Sequence, residues 1–341
     1  MAHARHLFPE ISWVVFTGAD SDWPETDPGV EVCRIFPSNE HPFRRLWADH
    51  FGVAAAARRR GAAALLTVGF QPLRTAGLPI AMQVVAVEAP HRSGGPRSAY
   101  RRWAVNRGLR RAALVIANSE WTRSRLGPSG APVVVSPEGL RKDLFTAYGP
   151  AGAPGHRGRY LLWVSNLYPY KRFELVLAAF ARLPPQMKAD YPLLVVGGSW
   201  GTGRRQAEAE VVRLGIEGQV RFLGWVDDRA LPSLYRGATA HVLSTAQETF
   251  GRSVLEAMAC GCPNVVQDLP VLREVAGDCA VFVDFADQLA ATRALELMCT
   301  DAGRRAQLRE SGMERALQFS FERLARERVG AVLKQLGVPA P

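Results

Sequence analysis

"AHVLSTAQETFGRSVLEAMACGCPNVVQ", residues 240–267, reads as a strand, a turn, a helix and a second strand. The runs AHVLS (240–244) and NVVQ (264–267) are short and apolar, and SVLEAMACG between them is a small-residue helical pattern. Two strands joined through a helix form the repeating unit of a parallel sheet. Glu248 and Glu256 bracket a Thr-Phe-Gly turn, in which Gly251 is free to take backbone conformations that other residues avoid. The spacing alone carries nothing, because Glu314 and Glu322 repeat it inside the C-terminal helices. The context does. In an open α/β sheet a strand–turn–helix junction lies at the carboxyl ends of the strands, where such folds bind ligands. The helix N-terminus offers unpaired N–H groups to a phosphate, and the flanking carboxylates can accept hydrogen bonds from hydroxyls.

The same alternation runs through the whole chain. Strands are expected at 12–18, 64–69, 80–87, 113–119 and 132–139, and again at 160–166, 193–198, 220–226, 240–244, 264–267 and 280–284. Helical patterns lie between them, as at 172–183, where Phe173, Val176, Leu177 and Phe180 share a face. Wholly apolar strands separated by helices predict parallel sheets covered on both faces. APGHRGR (153–159) interrupts the pattern and divides it into two α/β halves. Beyond residue 300 the chain is purely helical, ending in an amphipathic stretch at 320–337.

At 341 residues the chain has room for two domains, and 48% hydrophobic with 22% charged residues is an ordinary globular composition. No apolar run is long enough to span a bilayer, and the first residues lack the order of a signal peptide. Five cysteines without C-x-x-C spacing read as reduced packing residues in a cytoplasmic protein. The net charge is +10, and residues 1–150 hold 19 Lys and Arg against 12 Asp and Glu. The basic stripes at 44–61 and 97–126 suit an anionic lipid or a phosphorylated substrate, or are a solvated arginine-rich surface. No zinc-finger spacing or aromatic-interleaved basic motif is present, so nucleic acid is not an expected partner.

ETFGRSVLEAMACGCPNVV resembles the retaining nucleotide-sugar glycosyltransferases of the GT-B fold, the family-4 or group 1 type, and so do YLLWVSNLYPYKRFELVLAAF and LPSLYRGATAHVLS. The resemblance runs from about residue 40 to 335 and is most specific over 160–285. It implies two facing Rossmann-like domains with an interdomain cleft: an acceptor domain over 1–152, a donor domain over 153–318 and a closing helix over 319–341.

The resemblance assigns Glu248 to the hydroxyls of the donor sugar, Glu256 to those of the ribose, and Lys171 to the leaving diphosphate. Backbone amides of Thr249, Phe250 and Gly251 would approach the diphosphate, Gly197 and Gly198 would close the strand beside the nucleotide, and VRFLGWV (220–226) would flank the base. Lys171 and Glu248 are the expected catalytic residues. No metal or other cofactor is implied.

There are departures from the family pattern. Asn166 stands where the family usually has an arginine, so Arg172 or Arg252 would have to supply the second cation. Near the acceptor, Glu88 occupies the place of a frequent histidine and His91 follows three positions later. The chain opens at what resembles the end of the family's first helix, so the N-terminal domain is expected to lack its first strand and glycine-rich loop, leaving neighbouring strands unpaired.

Rival motifs are weaker. DSD (20–22) reads as an acidic loop among turn residues, GGSWGTG (197–203) lacks the Walker lysine, and His241 reads as a half-buried strand residue. The expectation is a metal-independent retaining hexosyltransferase of polysaccharide or glycolipid synthesis. Mannose from GDP is favoured over UDP-linked glucose or N-acetylglucosamine. The acceptor would be a glycan or a lipid-phosphate-linked precursor, with peripheral association at the inner membrane face. The alternatives are a donor-binding but inactive fragment and a non-enzymatic basic binding module.

Overall fold

In a computed structural model of the chain, the described residues are 2–18, 29–36, 42–84, 96–156, 158–198 and 203–338. They divide into two compact units, residues 1–139 with 321–341, and residues 140–320.

The first unit holds strands β1 (Trp13–Gly18), β2 (Val30–Phe36), β3 (Leu65–Val68), β4 (Ile80–Val84), β5 (Leu114–Ala117) and β6 (Val133–Val135). β1 pairs with β2, and the other four form a sheet in the order β3-β4-β5-β6, all parallel. β4 and β5 are buried throughout, as expected of strands covered on both faces. β3 departs from that expectation. It is an edge strand among the described residues, and Leu66 and Val68 are 49% and 56% exposed while Leu65 and Thr67 point inward. β2 lies outside the expected set of strands.

The helix Phe321–Gln335 returns to this unit and sets Ala331 and Val332 against Ala81, Leu114 and Ile116. It also carries the buried Arg328, which donates to Gln83 at 2.9 Å, to the Ser136 carbonyl at 3.3 Å and to Glu138 at 3.2 Å. A buried guanidinium is tolerable because it is paired and hydrogen-bonded in this way.

The second unit is built on β7 (Leu161–Val164), β8 (Leu193–Val196), β9 (Val220–Gly224), β10 (Ala240–Leu243), β11 (Asn264–Gln267) and β12 (Val281–Val283). All six are parallel, in the order β12-β11-β10-β7-β8-β9. The chain therefore runs outward from β7 to β9, crosses back, and runs outward on the other side from β10. The strand order reverses between β7 and β10, and an open α/β sheet places its ligand crevice at the carboxyl ends of such a pair. Tyr160, Leu161, Leu162 and Trp163 have no exposed surface, and each such side chain contributes about 1.5–3 kcal/mol of burial. The helix Phe173–Ala181 buries Phe173, Val176, Leu177 and Phe180, the face its spacing predicts.

Candidate functional site

Where β7, β8, β9 and β10 end, the second unit opens a cavity of about 410 Å³, a size that suits a small organic ligand. Four connections form its walls.

After β7 the chain turns through a short 3-10 helix, Pro169–Lys171, into Arg172, which is left-handed at φ 50°. Hydrogen bonds tie this turn to the loop after β10. The Ser244 hydroxyl donates to the carbonyls of Lys171 and Arg172 at 3.1 and 2.7 Å, and the Ala246 amide donates to the Tyr170 carbonyl at 2.7 Å. The stitching brings Lys171 onto Glu248, and the two form an ion pair whose side chains are only 11% and 17% exposed. The Lys171 ammonium also lies 5.3 Å from the centre of the Tyr170 ring, which stacks on Tyr168.

After β8 the backbone passes close under that turn. Gly197 has φ 144°, and a β-carbon there would sit 2.0 Å from the Ser165 carbonyl oxygen, so only glycine fits. Asn166 accepts a hydrogen bond from the Gly198 amide at 3.0 Å, which holds the two connections together. Asn166 and Gly198 both line the cavity.

After β10 comes the Thr-Phe-Gly turn. Gly251 is left-handed at φ 97° and starts the helix Arg252–Ala259, whose first amides have no partner within the helix. Thr249, Phe250 and Gly251 are not among the cavity-lining residues; Phe250 is buried and packs edge-on to Phe319. Arg252 and Glu256 of that helix do line the cavity, whereas Arg172 does not. Its charge adds a small pull on the Asp284 carboxyl, which hydrogen bonds from the Gln267 side chain and the Ala286 amide chiefly hold below the usual range.

Burial pushes the Glu256 carboxyl up to about 7, against the pull of Arg252 and of the buried Tyr235 hydroxyl, which donates to it at 3.2 Å. The charge of Asp228, after β9, pushes it the same way as burial.

His241, in β10, has no exposed surface, which corrects the half-buried reading: β10 and its neighbour β7 are the two innermost strands. Its Nδ1 lies 2.8 Å from the Asn264 side-chain oxygen. The Asn264 amide nitrogen donates to the carbonyls of Val254 and Cys262, so the oxygen must face the imidazole and Nδ1 carries the hydrogen. Nε2 is left without a partner among the described residues. Burial, with a smaller push from the Lys171 charge, brings the imidazole down to about 4.

Trp225, Asp228, Tyr168 and Tyr170 line the cavity without having been singled out in the sequence, and Tyr235 supports it from below. All four aromatic residues, Tyr168, Tyr170, Trp225 and Tyr235, do fall within stretches to which the family resemblance extends. Glu88, His91 and the DSD at 20–22 lie outside the described residues.

Two family models match the chain in succession. Glycosyltransferase Family 4 covers residues 10–144, and Glycosyl transferases group 1 covers 150–315. The chain belongs to the group 1 glycosyltransferases. O-antigen chain mannosyltransferase B of Escherichia coli is 32% identical over half of this chain and 45% of its own. A D-inositol 3-phosphate glycosyltransferase of Salinispora tropica is 33% identical over half of this chain and 37% of its own. The matches thus span less than half of either relative. Sucrose-phosphate synthase from Thermosynechococcus elongatus superposes with a TM-score of 0.79 at 21% identity, covering 98% of this chain and 92% of that one. The fold of this group 1 glycosyltransferase is accordingly the GT-B α/β fold with parallel sheets.

Proposed function

We propose that this chain is a retaining, metal-independent glycosyltransferase that moves a hexose from a nucleoside-diphosphate sugar to a glycan or lipid-phosphate-linked acceptor. The observation that carries this reading is the Lys171–Glu248 pair in one cavity with Glu256 and Arg252, at the strand-order reversal of the second unit.

In this reading Glu256 accepts hydrogen bonds from the ribose hydroxyls and Glu248 from hydroxyls of the sugar. Lys171, Arg252 and the first amides of the helix Arg252–Ala259 meet the diphosphate. Their charge is worth most as the C1–O bond to the β-phosphate breaks and negative charge builds on the leaving oxygen. The acceptor hydroxyl attacks C1 from the side the diphosphate leaves, and a phosphate oxygen takes its proton, so configuration is retained with no covalent intermediate. Glu248 is held by Lys171, which suits a binding carboxylate better than a nucleophile.

Mannose on GDP is the favoured donor, supported by the mannosyltransferase relative. A role in polysaccharide or glycolipid synthesis at the inner membrane face is supported by a surface patch on the first unit. Trp47, Phe51 and Trp103 are 65%, 36% and 43% exposed, with Arg74 and Arg107 lying over the Phe51 and Trp103 rings. Aromatic rings with arginines suit an anionic headgroup layer. No helix among the described residues is long and apolar enough to cross a membrane. Failure of the wild-type chain to bind phosphatidylglycerol vesicles would sink the membrane part, and binding that survives Trp47→Ala with Trp103→Ala would remove this patch as its support.

The donor reading is tested by thermal-shift titration with GDP, UDP and their sugars, with Glu256→Ala as control. Ligand at a hundred times its Kd adds about 2.7 kcal/mol of stability. A shift with one nucleotide, lost in the variant, is expected. No shift with any of them overturns the donor reading. Transfer should continue in EDTA, and a strict metal requirement would defeat that part of it.

A further inference from the structure

The cavity of the second unit has two chemically distinct ends. Lys171, Glu248 and Arg252 charge the end beyond β7 and β10, whereas Val196, Val226, Leu231 and Trp225 make the end beyond β8 and β9 largely apolar. Trp225 is the unusual member. It is 74% exposed, and no ring, cation or hydrogen-bond partner engages it among the described residues. A wide flat surface is thus left open to solvent on the wall of a ligand cavity, where the rest of that end offers aliphatic side chains, the two glycines after β8 and the single carboxylate of Asp228.

We infer that Trp225 is a stacking platform for the nucleobase of the donor, and that it sets a preference for purine over pyrimidine nucleoside diphosphates. The inference rests on the cavity being a nucleotide site and goes beyond that reading by assigning base selectivity to one side chain.

Its logic is geometric. A nucleoside diphosphate is itself two-ended, and its charged half belongs with Lys171 and Arg252. With Glu256 on the ribose, the base is carried away from the charged end toward the apolar one. There it meets an indole face whose two fused rings match a purine in extent, and a pyrimidine covers less of it. Stacking of a base on an aromatic side chain is tolerant of hydrogen-bonding pattern because every base has a π-face. Selection between bases would come from the overlapped area, with GDP and ADP both favoured over UDP.

The test is calorimetric titration of the full chain with GDP, ADP and UDP, in wild type, Trp225→Ala and Trp225→Phe. Truncation at so exposed a position leaves the fold intact, and the pattern of loss is what is read. We expect Trp225→Ala to weaken GDP and ADP about tenfold or more and UDP less, with Trp225→Phe in between. Quenching of tryptophan fluorescence by GDP should be reduced in Trp225→Phe while binding persists. Nucleotide binding that keeps its affinities and its GDP-to-UDP ratio in Trp225→Ala overturns the inference and leaves the donor reading standing. A wild-type chain that binds no nucleotide overturns both.

Discussion

Tyr235 donates its phenolic hydrogen to Glu256 from beneath, at 3.2 Å, and the phenol is wholly buried while the carboxylate faces the cavity. The bond fixes the orientation of a carboxyl whose proton comes off at about 7 rather than near 4.5. If Glu256 accepts from ribose hydroxyls, it does so fully only when ionised, since a protonated carboxyl gives up acceptor capacity. Nucleotide affinity is expected to rise roughly fivefold between pH 6 and pH 8, the worth of replacing a neutral by a charged hydrogen bond. Tyr235→Phe removes a donor that favours the ionised form and should move the rise to higher pH. Titration calorimetry across that range checks both, and a flat wild-type profile would remove Glu256 from the ribose.

The Lys171–Glu248 pair separates a structural from a catalytic role. Lys171→Met strands a mostly buried carboxylate and should cost on the order of 3 kcal/mol in denaturant unfolding. Turnover should fall about 10²–10³-fold, as for loss of a transition-state donor. Adding Glu248→Gln removes the stranded charge, so stability should recover in the double variant while turnover does not. Recovery of both would mean that the pair only holds the loops together.

The buried imidazole of His241 makes an opposite and nearly matching contribution to stability against pH. Its folded value is about 4 against an ordinary 6.5, so the unfolded chain binds the extra proton between those limits. Stability from this group is complete above pH 6.5 and is lost as pH falls toward 4, by about 3 kcal/mol. Glu256, raised from 4.5 to about 7, does the reverse: its contribution is complete below pH 4.5 and is lost as pH rises through 7. The wild-type melting temperature should therefore change little between pH 4.5 and 7. Glu256→Gln should expose a melting temperature that rises with pH, and His241→Leu one that falls. Parallel curves for the three proteins would show that neither group is perturbed as described.

What the sequence made legible follows from what a local pattern can hold. β7 and β8 are unbroken apolar runs, and the helix starting at Phe173 repeats its apolar face, so their kind was readable directly. β2 was not, because Glu31 and Arg34 interrupt its apolar residues and hide the alternation. Glu248 and Glu256 were readable as a site from the turn and helix between them. Lys171 came from the family pattern alone, and its contact with Glu248 joins residues 77 positions apart, which no local pattern encodes. The depth of His241 depends on β10 lying beside β7, and the openness of Trp225 on which strand ends meet. Such facts belong to topology, and a sequence states topology only indirectly.

The return of the last helix to the first unit has a consequence for synthesis. Chains leave the ribosome N-terminus first, and domains generally close as they emerge. Residues 140–320 are complete before Phe321–Gln335 has been made, yet the first unit needs that helix. Until it appears, Gln83 and Glu138 wait for Arg328, and Ala81, Leu114 and Ile116 lack the cover of Ala331 and Val332. The nascent chain therefore carries an uncovered apolar sheet face until residues 321–335 are available. A nonsense codon after residue 320 would leave the cavity's own unit whole and the other permanently unfinished.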